Sequence, residues 1–86
     1  MKEVHYNIGN AYYLIGKYTL AIEHYEASLQ YDKSNSEVFY NLGNAFCANH
    51  NYKDAIGSYT LCLNLNSKNY QAYYNLGNAL YLFNDP

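Results

Sequence analysis

The hexapeptide Tyr6-Asn7-Ile8-Gly9-Asn10-Ala11 decides the fold, because it returns twice at a constant spacing. Its second copy begins at Tyr40 and its third at Tyr74, so each copy follows the previous one by 34 residues. Further matches are Tyr18 with Tyr52, Ala21-Ile22 with Ala55-Ile56, Tyr25 with Tyr59, and Leu29 with Leu63. A fixed period of this length predicts supersecondary units that stack on one another. We divide the chain into two full units, 2–35 and 36–69, and a partial third unit, 70–86, within one domain spanning 1–86.

Each full unit holds two segments with helical periodicity, and the partial unit holds one. The predicted helices span 3–15, 18–31, 37–49, 53–65 and 71–83. Gly16 is expected to end the first helix in the left-handed conformation, and His50 and Asn84 occupy the same register in the later units. Two N-terminal caps are predicted, at Ser34 with Glu37 and at Asn51 with Asp54. The fold class is therefore all-α, with about five helices.

A spaced pattern of aromatic and small residues repeats with the units: an aromatic residue, a Leu-Gly pair, a second aromatic residue, then Ala and a third aromatic residue. Unit one has His5, Ile8-Gly9, Tyr12, Ala21 and Tyr25; unit two has Phe39, Leu42-Gly43, Phe46, Ala55 and Tyr59; unit three has Tyr73, Leu76-Gly77 and Leu80. This pattern resembles the tetratricopeptide repeat family over essentially the whole chain. The resemblance implies antiparallel helix pairs stacked as a right-handed α-solenoid, and we expect the chain to be part of a longer protein. The chain departs from the family at Lys33 and Ser67, where a proline is usual.

A glycine inside a helix destabilises it by about 1 kcal/mol relative to alanine, yet one occurs at the same register in all three units. We therefore expect Gly9, Gly43 and Gly77 to allow close approach of the partner helix, against Ala21 and Ala55. On the first helix, one face is predicted to belong to the core; its residues are Val4, Ile8, Ala11, Tyr12 and Ile15.

A second face of these first helices is left over after the core is assigned. In the family this face lines a concave groove that binds peptides, so the resemblance implies a peptide-binding groove here. Its predicted residues are Glu3, Tyr6, Asn7, Asn10 and Tyr13 in unit one, Glu37, Tyr40, Asn41 and Asn44 in unit two, and Gln71, Tyr74, Asn75, Asn78 and Tyr81 in unit three. Carboxamides can both donate to and accept from a peptide backbone. Two roles stay open for the asparagines and tyrosines: contact with a ligand, or packing between helices.

Some members of the family bind the acidic C-terminal tails of the Hsp70 and Hsp90 chaperones with a two-carboxylate clamp. The resemblance implies that this clamp needs lysine, asparagine, asparagine, lysine and arginine at defined registers. Those registers hold Tyr6, Asn10, Asn41, Gln71 and Asn75 here. Because all three cations are missing, no charge-assisted pairing with a terminal carboxylate is expected, and an Hsp70 or Hsp90 tail is not the expected partner.

Composition and motifs argue against several other functions. The formal net charge is −2 with only 5 Lys and Arg residues, which disfavours nucleic acid as a partner, and no apolar run is long enough to span a membrane. We find no catalytic motif, so no enzyme activity and no cofactor is expected. His5, His24 and His50 do not pair at i+4 spacing, so no metal site is predicted. With only Cys47 and Cys62 in the chain, a reducing intracellular location, cytoplasmic or nuclear, is favoured.

Three hypotheses about function follow. The first is a protein-interaction scaffold that binds a protein or peptide segment in the groove. The second is a self-assembly unit, because Leu76, Leu80 and Phe83 of the third unit are expected to be partly exposed, and this predicts at least weak homo-oligomerisation through the terminal helices. The third is an accessory domain that recruits substrates for a larger enzyme.

Overall fold

A computed structural model describes residues 2–84 as five α-helices that follow one another along the chain. Residues 1, 85 and 86 of the predicted domain lie outside the described residues. The helices are α1 (Lys2–Leu14), α2 (Tyr18–Tyr31), α3 (Ser36–Ala48), α4 (Tyr52–Leu65) and α5 (Tyr70–Asn84). Every predicted helix is confirmed, with each boundary displaced by one residue at most.

The turns between the two helices of units one and two have the same backbone conformation, which explains why the helices break at a regular interval. The N–H of Lys17 donates to the carbonyl of Tyr12 at 2.9 Å, and the N–H of Asn51 donates to that of Phe46 at 2.8 Å. Gly16 has φ +80° and His50 has φ +62°, so both adopt the left-handed conformation that closes a helix in this way. The prediction at these two residues is confirmed. At the third register, α5 continues through Asn84.

The predicted N-terminal caps were wrong in detail. The side chain that caps α3 belongs to Asn35, whose Oδ1 accepts from the Glu37 N–H at 3.0 Å. Ser34 instead donates to Asp32 from both its N–H and its hydroxyl. Asn51 stands at the N-terminus of α4, but its Oδ1 accepts from Asn49 Nδ2 at 2.8 Å and bonds to no backbone N–H of the helix. Asn35 and Ser34 are neighbours that can accept from the same backbone N–H groups, so the sequence pattern alone did not show which of the two caps the helix.

The core lies between the second helix of one unit and the first helix of the next. Val38, Leu42 and Ala45 of α3 are buried together with side chains of α2, namely Ala21, Ile22, Tyr25 and Leu29. The same arrangement recurs one unit later, where α5 packs on α4. Each helix pair therefore covers an apolar face that it cannot bury by itself, as expected for stacked repeats.

The repeated glycines have two different environments. A Cβ atom at Gly9 would lie 2.8 Å from the Tyr25 ring, and one at Gly43 would lie 2.6 Å from the Tyr59 ring. The prediction of close approach is confirmed at these two residues. It was wrong at Gly77, where a Cβ would meet no atom within 4 Å, because no second helix packs on this face of α5 within the described residues.

The predicted core face of α1 was also wrong in part. Val4 and Ile15 are 47% and 68% exposed, and Ala11 is exposed as well. The corresponding residues Val38 and Ala45 of α3 are buried because α2 covers them, whereas no helix of the described residues precedes α1. At the other end, Leu80 and Phe83 are exposed, as predicted, while Leu76 is half-buried.

Candidate functional site

Two clefts lie along the face of α1, α3 and α5 that carries the repeated asparagines. We call this surface the asparagine face and define it by the fourteen residues predicted for the groove. The first cleft, of about 340 Å³, is lined by Asn10, Tyr13, Leu14, Tyr25, Asn41 and Asn44. The second, of about 330 Å³, is lined by Tyr13, Asn44, Cys47, Ala48, Tyr59, Asn75, Asn78 and Leu82. The second cleft repeats the first 34 residues later along the sequence, and no charged side chain lines either one.

The asparagines of the first cleft are held by hydrogen bonds from neighbouring helices. The Tyr25 hydroxyl donates to Asn10 Oδ1 at 2.5 Å. Asn41 Nδ2 donates to the Tyr6 hydroxyl at 2.8 Å and approaches Asn10 Oδ1 at 3.5 Å. Both donors therefore converge on Asn10 Oδ1, which fixes the orientation of that carboxamide. Its Nδ2 group interacts with the Tyr6 phenol, whose pKa it lowers against the larger raising effect of burial. At least one of the two N–H bonds of Nδ2 is left without an acceptor among the described residues.

The second cleft contains the same network one unit later. The Tyr59 hydroxyl donates to Asn44 Oδ1 at 2.5 Å. Asn75 Nδ2 donates to Asn44 Oδ1 at 3.0 Å and to the Tyr40 hydroxyl at 3.2 Å. In both clefts, an asparagine of one unit joins a buried tyrosine of the same unit to an asparagine of the next unit. Asn10, Asn41, Asn44 and Asn75 thus have a packing role, one of the two alternatives left open by the sequence.

Each network also leaves polar atoms available. Asn44 Nδ2 and at least one N–H of Asn10 Nδ2 are unbonded donors, and the Oδ1 atoms of Asn41 and Asn75 are unbonded acceptors, within the part of the chain that the structure describes. No buried side-chain nitrogen or oxygen in that part lacks a partner. The atoms that remain free on these asparagines are therefore the ones that face solvent.

The other predicted groove residues are divided between packing and exposure. Tyr13 packs edge-on against Tyr18 with the ring centroids 5.4 Å apart, and Tyr6 is fixed by its bond from Asn41. Tyr74 and Tyr81 are each 72% exposed. The remaining exposed residues of the face are Glu3, Asn7, Glu37, Gln71 and Asn78.

Burial keeps the phenols and the thiol of this site protonated. Desolvation raises the pKa of Tyr25 and Tyr59 far above the ordinary tyrosine value, so both remain hydrogen-bond donors. Desolvation also raises the pKa of the Cys47 thiol, whose Sγ lies 3.7 Å from the Tyr59 hydroxyl. A thiol with a raised pKa is a poor nucleophile, which favours the reading of Cys47 as a small side chain in the cleft wall.

Sequence reasoning missed the role of Tyr25 and Tyr59, which the sequence indicated only as aromatic positions of the repeat. Both rings are almost fully buried, but their hydroxyls reach the asparagine face. The available signal was the constant separation of 15 residues between Asn10 and Tyr25 and between Asn44 and Tyr59.

Sequence reasoning also missed a cleft of about 690 Å³ on the opposite side of α3. Its apolar wall is formed by Leu29, Phe39, Leu42, Phe46 and Leu61, and its charged rim by Glu26, Lys53 and Asp54. Gly57 lines this cleft, and a Cβ there would meet no atom within 4 Å. The signal available in the sequence was a glycine in the interior of a predicted helix.

Residues 2–84 contain neither a three-residue metal cluster nor a membrane-spanning helix. Within them no cluster of three or more His, Cys, Asp or Glu side chains is suited to a metal ion. No helix in the same range is long and apolar enough to cross a membrane.

Comparison with known families decides the classification. The sequence model described as TPR repeat matches residues 9–49, and the one described as tetratricopeptide repeat matches residues 40–86. This chain belongs to the tetratricopeptide repeat (TPR) family. TPR domains generally serve as scaffolds for protein–protein interaction and not as enzymes. Among curated proteins, no match to this chain was found.

Two solved TPR structures are similar to this chain. One is described as the first TPR of Spaghetti (RPAP3) bound to the HSP90 peptide SRMEEVD; it is 26% identical with a TM-score of 0.92, and the match covers 96% of this chain and 66% of that one. The other is the Arabidopsis OM64 TPR domain, 26% identical with a TM-score of 0.88, over 91% of this chain and 64% of that one. The chain thus spans slightly less than two thirds of either structure.

Proposed function

We propose that the asparagine face of this TPR domain binds an extended peptide segment of a partner protein. The observation that carries the proposal is the pair of oriented carboxamides, Asn10 and Asn44, whose oxygens are occupied within the domain and whose Nδ2 groups each keep at least one free N–H. Two donors fixed at one register of successive units are suited to successive carbonyl groups of a peptide backbone. Because they are already oriented, little conformational entropy is lost when they bind.

The free acceptors support the same ligand. Asn41 and Asn75 present Oδ1 atoms beside those donors, so the face offers both halves of the pairing that a peptide bond requires. Recognition through backbone groups tolerates many side chains, and the exposed rings of Tyr74 and Tyr81 supply apolar contact area with a polar tip. Glu3 and Glu37 add a slight negative charge at one edge of the face.

The proposed peptide does not end in an acidic chaperone-type tail. The two clefts are lined by no lysine, the chain contains no arginine, and Tyr6 and Gln71 occupy registers at which the clamp needs a cation. A terminal carboxylate would therefore lose its hydration without gaining a charged partner. We expect the peptide SRMEEVD, which is bound in the similar structure, to bind this domain no better than a scrambled peptide of the same composition.

The test of the proposal replaces the free donors without breaking the network. In an Asn10→Asp/Asn44→Asp variant, each carboxylate still accepts from the tyrosine hydroxyl and from the asparagine of the next unit. The free NH₂ group, however, becomes an acceptor that repels peptide carbonyls. A peptide array of diverse sequences is probed with the wild type and with this variant, and helicity is compared by circular dichroism.

The matched control adds the same charge elsewhere. Gln30→Glu/Asn64→Asp places two carboxylates at exposed positions of α2 and α4, outside both clefts of the asparagine face. We expect peptide signals that survive in the control and disappear in Asn10→Asp/Asn44→Asp. Equal loss in both variants would mean that net charge, or the larger cleft that Gln30 lines, and not the groove donors, governs binding, and this would contradict the proposal.

A second candidate function, self-association, is favoured by exposed apolar side chains on the terminal helices. Leu80, Leu82 and Phe83 of α5 are between 42% and 50% exposed, and Ile15 after α1 is 68% exposed. A second copy of the chain is the proposed occupant. Sedimentation velocity at increasing concentration should show a rising average mass that Leu80→Glu/Phe83→Glu removes; a constant monomer mass would exclude this candidate.

We also propose that the protein is intracellular, in the cytoplasm or the nucleus. The thiols of Cys47 and Cys62 are free, which is consistent with this location.

A further inference from the structure

The histidines of unit one form a pair across two helices. His5 of α1 and His24 of α2 place their Nδ1 atoms 3.1 Å apart, and both side chains are half-buried. Nothing in the sequence spacing indicated this contact, because the two residues are 19 positions apart. Helix pairing within the unit brings them together.

Aromatic rings on both sides hold the pair in place. The Tyr31 ring stacks on His5 with the centroids 6.0 Å apart, and the Tyr12 ring stacks on His24 at 5.6 Å. The two imidazoles themselves stack at 5.3 Å with an interplanar angle of 29°. The four rings form a column that keeps the two imidazoles, and therefore their Nδ1 atoms, next to each other.

Unit two shows that repeat packing does not require imidazoles at these registers. The equivalents of His5 and His24 are Phe39 and Ser58, and both pack within a helix pair of the same architecture: Phe39 borders the core and Ser58 is buried. The chain therefore contains its own version of the helix pair without nitrogen ligands. Two histidines at facing positions of a single unit need an explanation other than the fold.

The distance between the nitrogens matches that of two ligands on one metal ion. With metal–nitrogen bonds of about 2.0–2.1 Å, two ligands at a right angle lie about 2.9 Å apart, and two at a tetrahedral angle about 3.4 Å. The observed 3.1 Å lies between these values. We propose that His5 and His24 bind a borderline transition-metal ion, Zn²⁺, Cu²⁺ or Ni²⁺, through their Nδ1 atoms, and that the ion links α1 to α2.

The proton balance of two neutral imidazoles permits this binding. In the metal-free pair, one Nδ1–H donates to the other Nδ1. On binding, the donor ring moves its proton to Nε2, so both Nδ1 lone pairs reach the metal and the neutral pair releases no proton. No third His, Cys, Asp or Glu of the described residues joins the site, so water completes the coordination. The site is open and its affinity is modest compared with a four-ligand site.

The test is isothermal titration of the whole chain with ZnCl₂ and NiCl₂, together with thermal unfolding at increasing metal concentration. We expect one equivalent to bind and the Tm to rise with free metal, since a ligand that binds only the folded state stabilises it. His5→Phe and His24→Ser take their replacements from unit two, and each should weaken binding at least about tenfold, because even loss of an outer-shell partner weakens metal binding about 10–100-fold. His50→Asn, the residue of unit three, is the control and should bind as the wild type does.

A measurement on the wild type alone protects the test against misfolded variants. Long-range ¹⁵N–¹H correlation spectra of the imidazoles, recorded with and without Zn²⁺, report which nitrogen binds. We expect changes at Nδ1 of His5 and His24, with Nε2 of both rings protonated. Changes confined to His50, no change up to millimolar Zn²⁺, or full binding by the double variant His5→Phe/His24→Ser would each overturn the proposal.

Discussion

At the scale of single residues, the hydroxyls of Tyr25 and Tyr59 connect the core to the asparagine face. Each ring fills the space beside a glycine of its own unit, and each hydroxyl donates to an asparagine that lines a cleft. One side chain therefore serves both packing and the orientation of a candidate ligand-binding group. The same arrangement in two units indicates that it belongs to the repeat itself.

Removing these hydroxyls should destabilise the domain and loosen the asparagines. We expect Tyr25→Phe and Tyr59→Phe each to lower the free energy of unfolding by about 1 kcal/mol, the typical contribution of one hydrogen bond. Urea unfolding followed by circular dichroism measures this change. Tyr12→Phe is the control, because the Tyr12 hydroxyl makes no hydrogen bond within the described residues, and a loss of equal size there would contradict the assignment.

The same two phenols should make stability depend on alkaline pH. Burial raises the pKa of Tyr25 and Tyr59 above the ordinary value of 10.0, so above that pH the unfolded chain loses phenolic protons that the folded chain retains. The folded state then binds more protons, and its stability falls as pH rises. Well below pH 10.0 the two phenols contribute no pH dependence.

Urea unfolding at a series of pH values tests this expectation. The wild type should lose stability above about pH 10, and the Tyr25→Phe/Tyr59→Phe variant should lose it less steeply. Some decline is expected to remain, because burial also raises the pKa of Tyr6 and Tyr13. If stability fell with pH at the same slope in both proteins, Tyr25 and Tyr59 would be ruled out as the source of the alkaline loss of stability.

At the scale of the helices, the repeated glycines show that the same register of the repeat can lie in different structural environments. Gly43 contacts the Tyr59 ring so closely that a methyl group cannot be added without displacing the ring, whereas Gly77 at the same register faces open space. The register follows from the 34-residue repeat, but the steric requirement depends on whether a partner helix is present.

This difference predicts opposite effects for the same substitution. Gly43→Ala should lower the free energy of unfolding by about 1–3 kcal/mol through overpacking, even though alanine is the better helix former. Gly77→Ala should raise it by up to about 1 kcal/mol through helix propensity alone. Thermal and urea unfolding of the two variants measure both changes. Stabilisation by Gly43→Ala would show that the two helices are not in close contact there.

The elements were predictable from the sequence, while contacts between them were predictable only where the repeat determines them. The period of 34 residues and the left-handed positions at Gly16 and His50 were sufficient to place all five helices. The exposure of Val4 and Ile15 was not predicted, because burial of a repeat position depends on a neighbouring unit. The His5–His24 contact was not predicted either, since it arises from two residues that unit two does not share.

At the scale of the whole molecule, the units form a flat body whose Cα extents are 39 × 27 × 17 Å. α1, α3 and α5 lie side by side through contacts of α1 with α3 and of α3 with α5, so that the asparagines of successive units become neighbours. The candidate site exists only in the stacked array, because Asn41 and Asn75 belong to a different unit from the asparagines they hold. The sequence analysis predicts fourteen site residues on one face, but it does not show which of their polar atoms remain free.

The most direct measurement of the central claim is the chemical shift change of side-chain amide groups in a ¹⁵N-labelled domain when a peptide selected from the array is added. We predict that the Nδ2 groups of Asn10 and Asn44 shift most, and that those of Gln30 and Asn64 on the outer helices do not shift. Gln30 lines the cleft of about 690 Å³ on the opposite side of α3. Changes confined to Gln30 and that cleft, or to the terminal helices, would contradict the claim that the asparagine face binds the ligand.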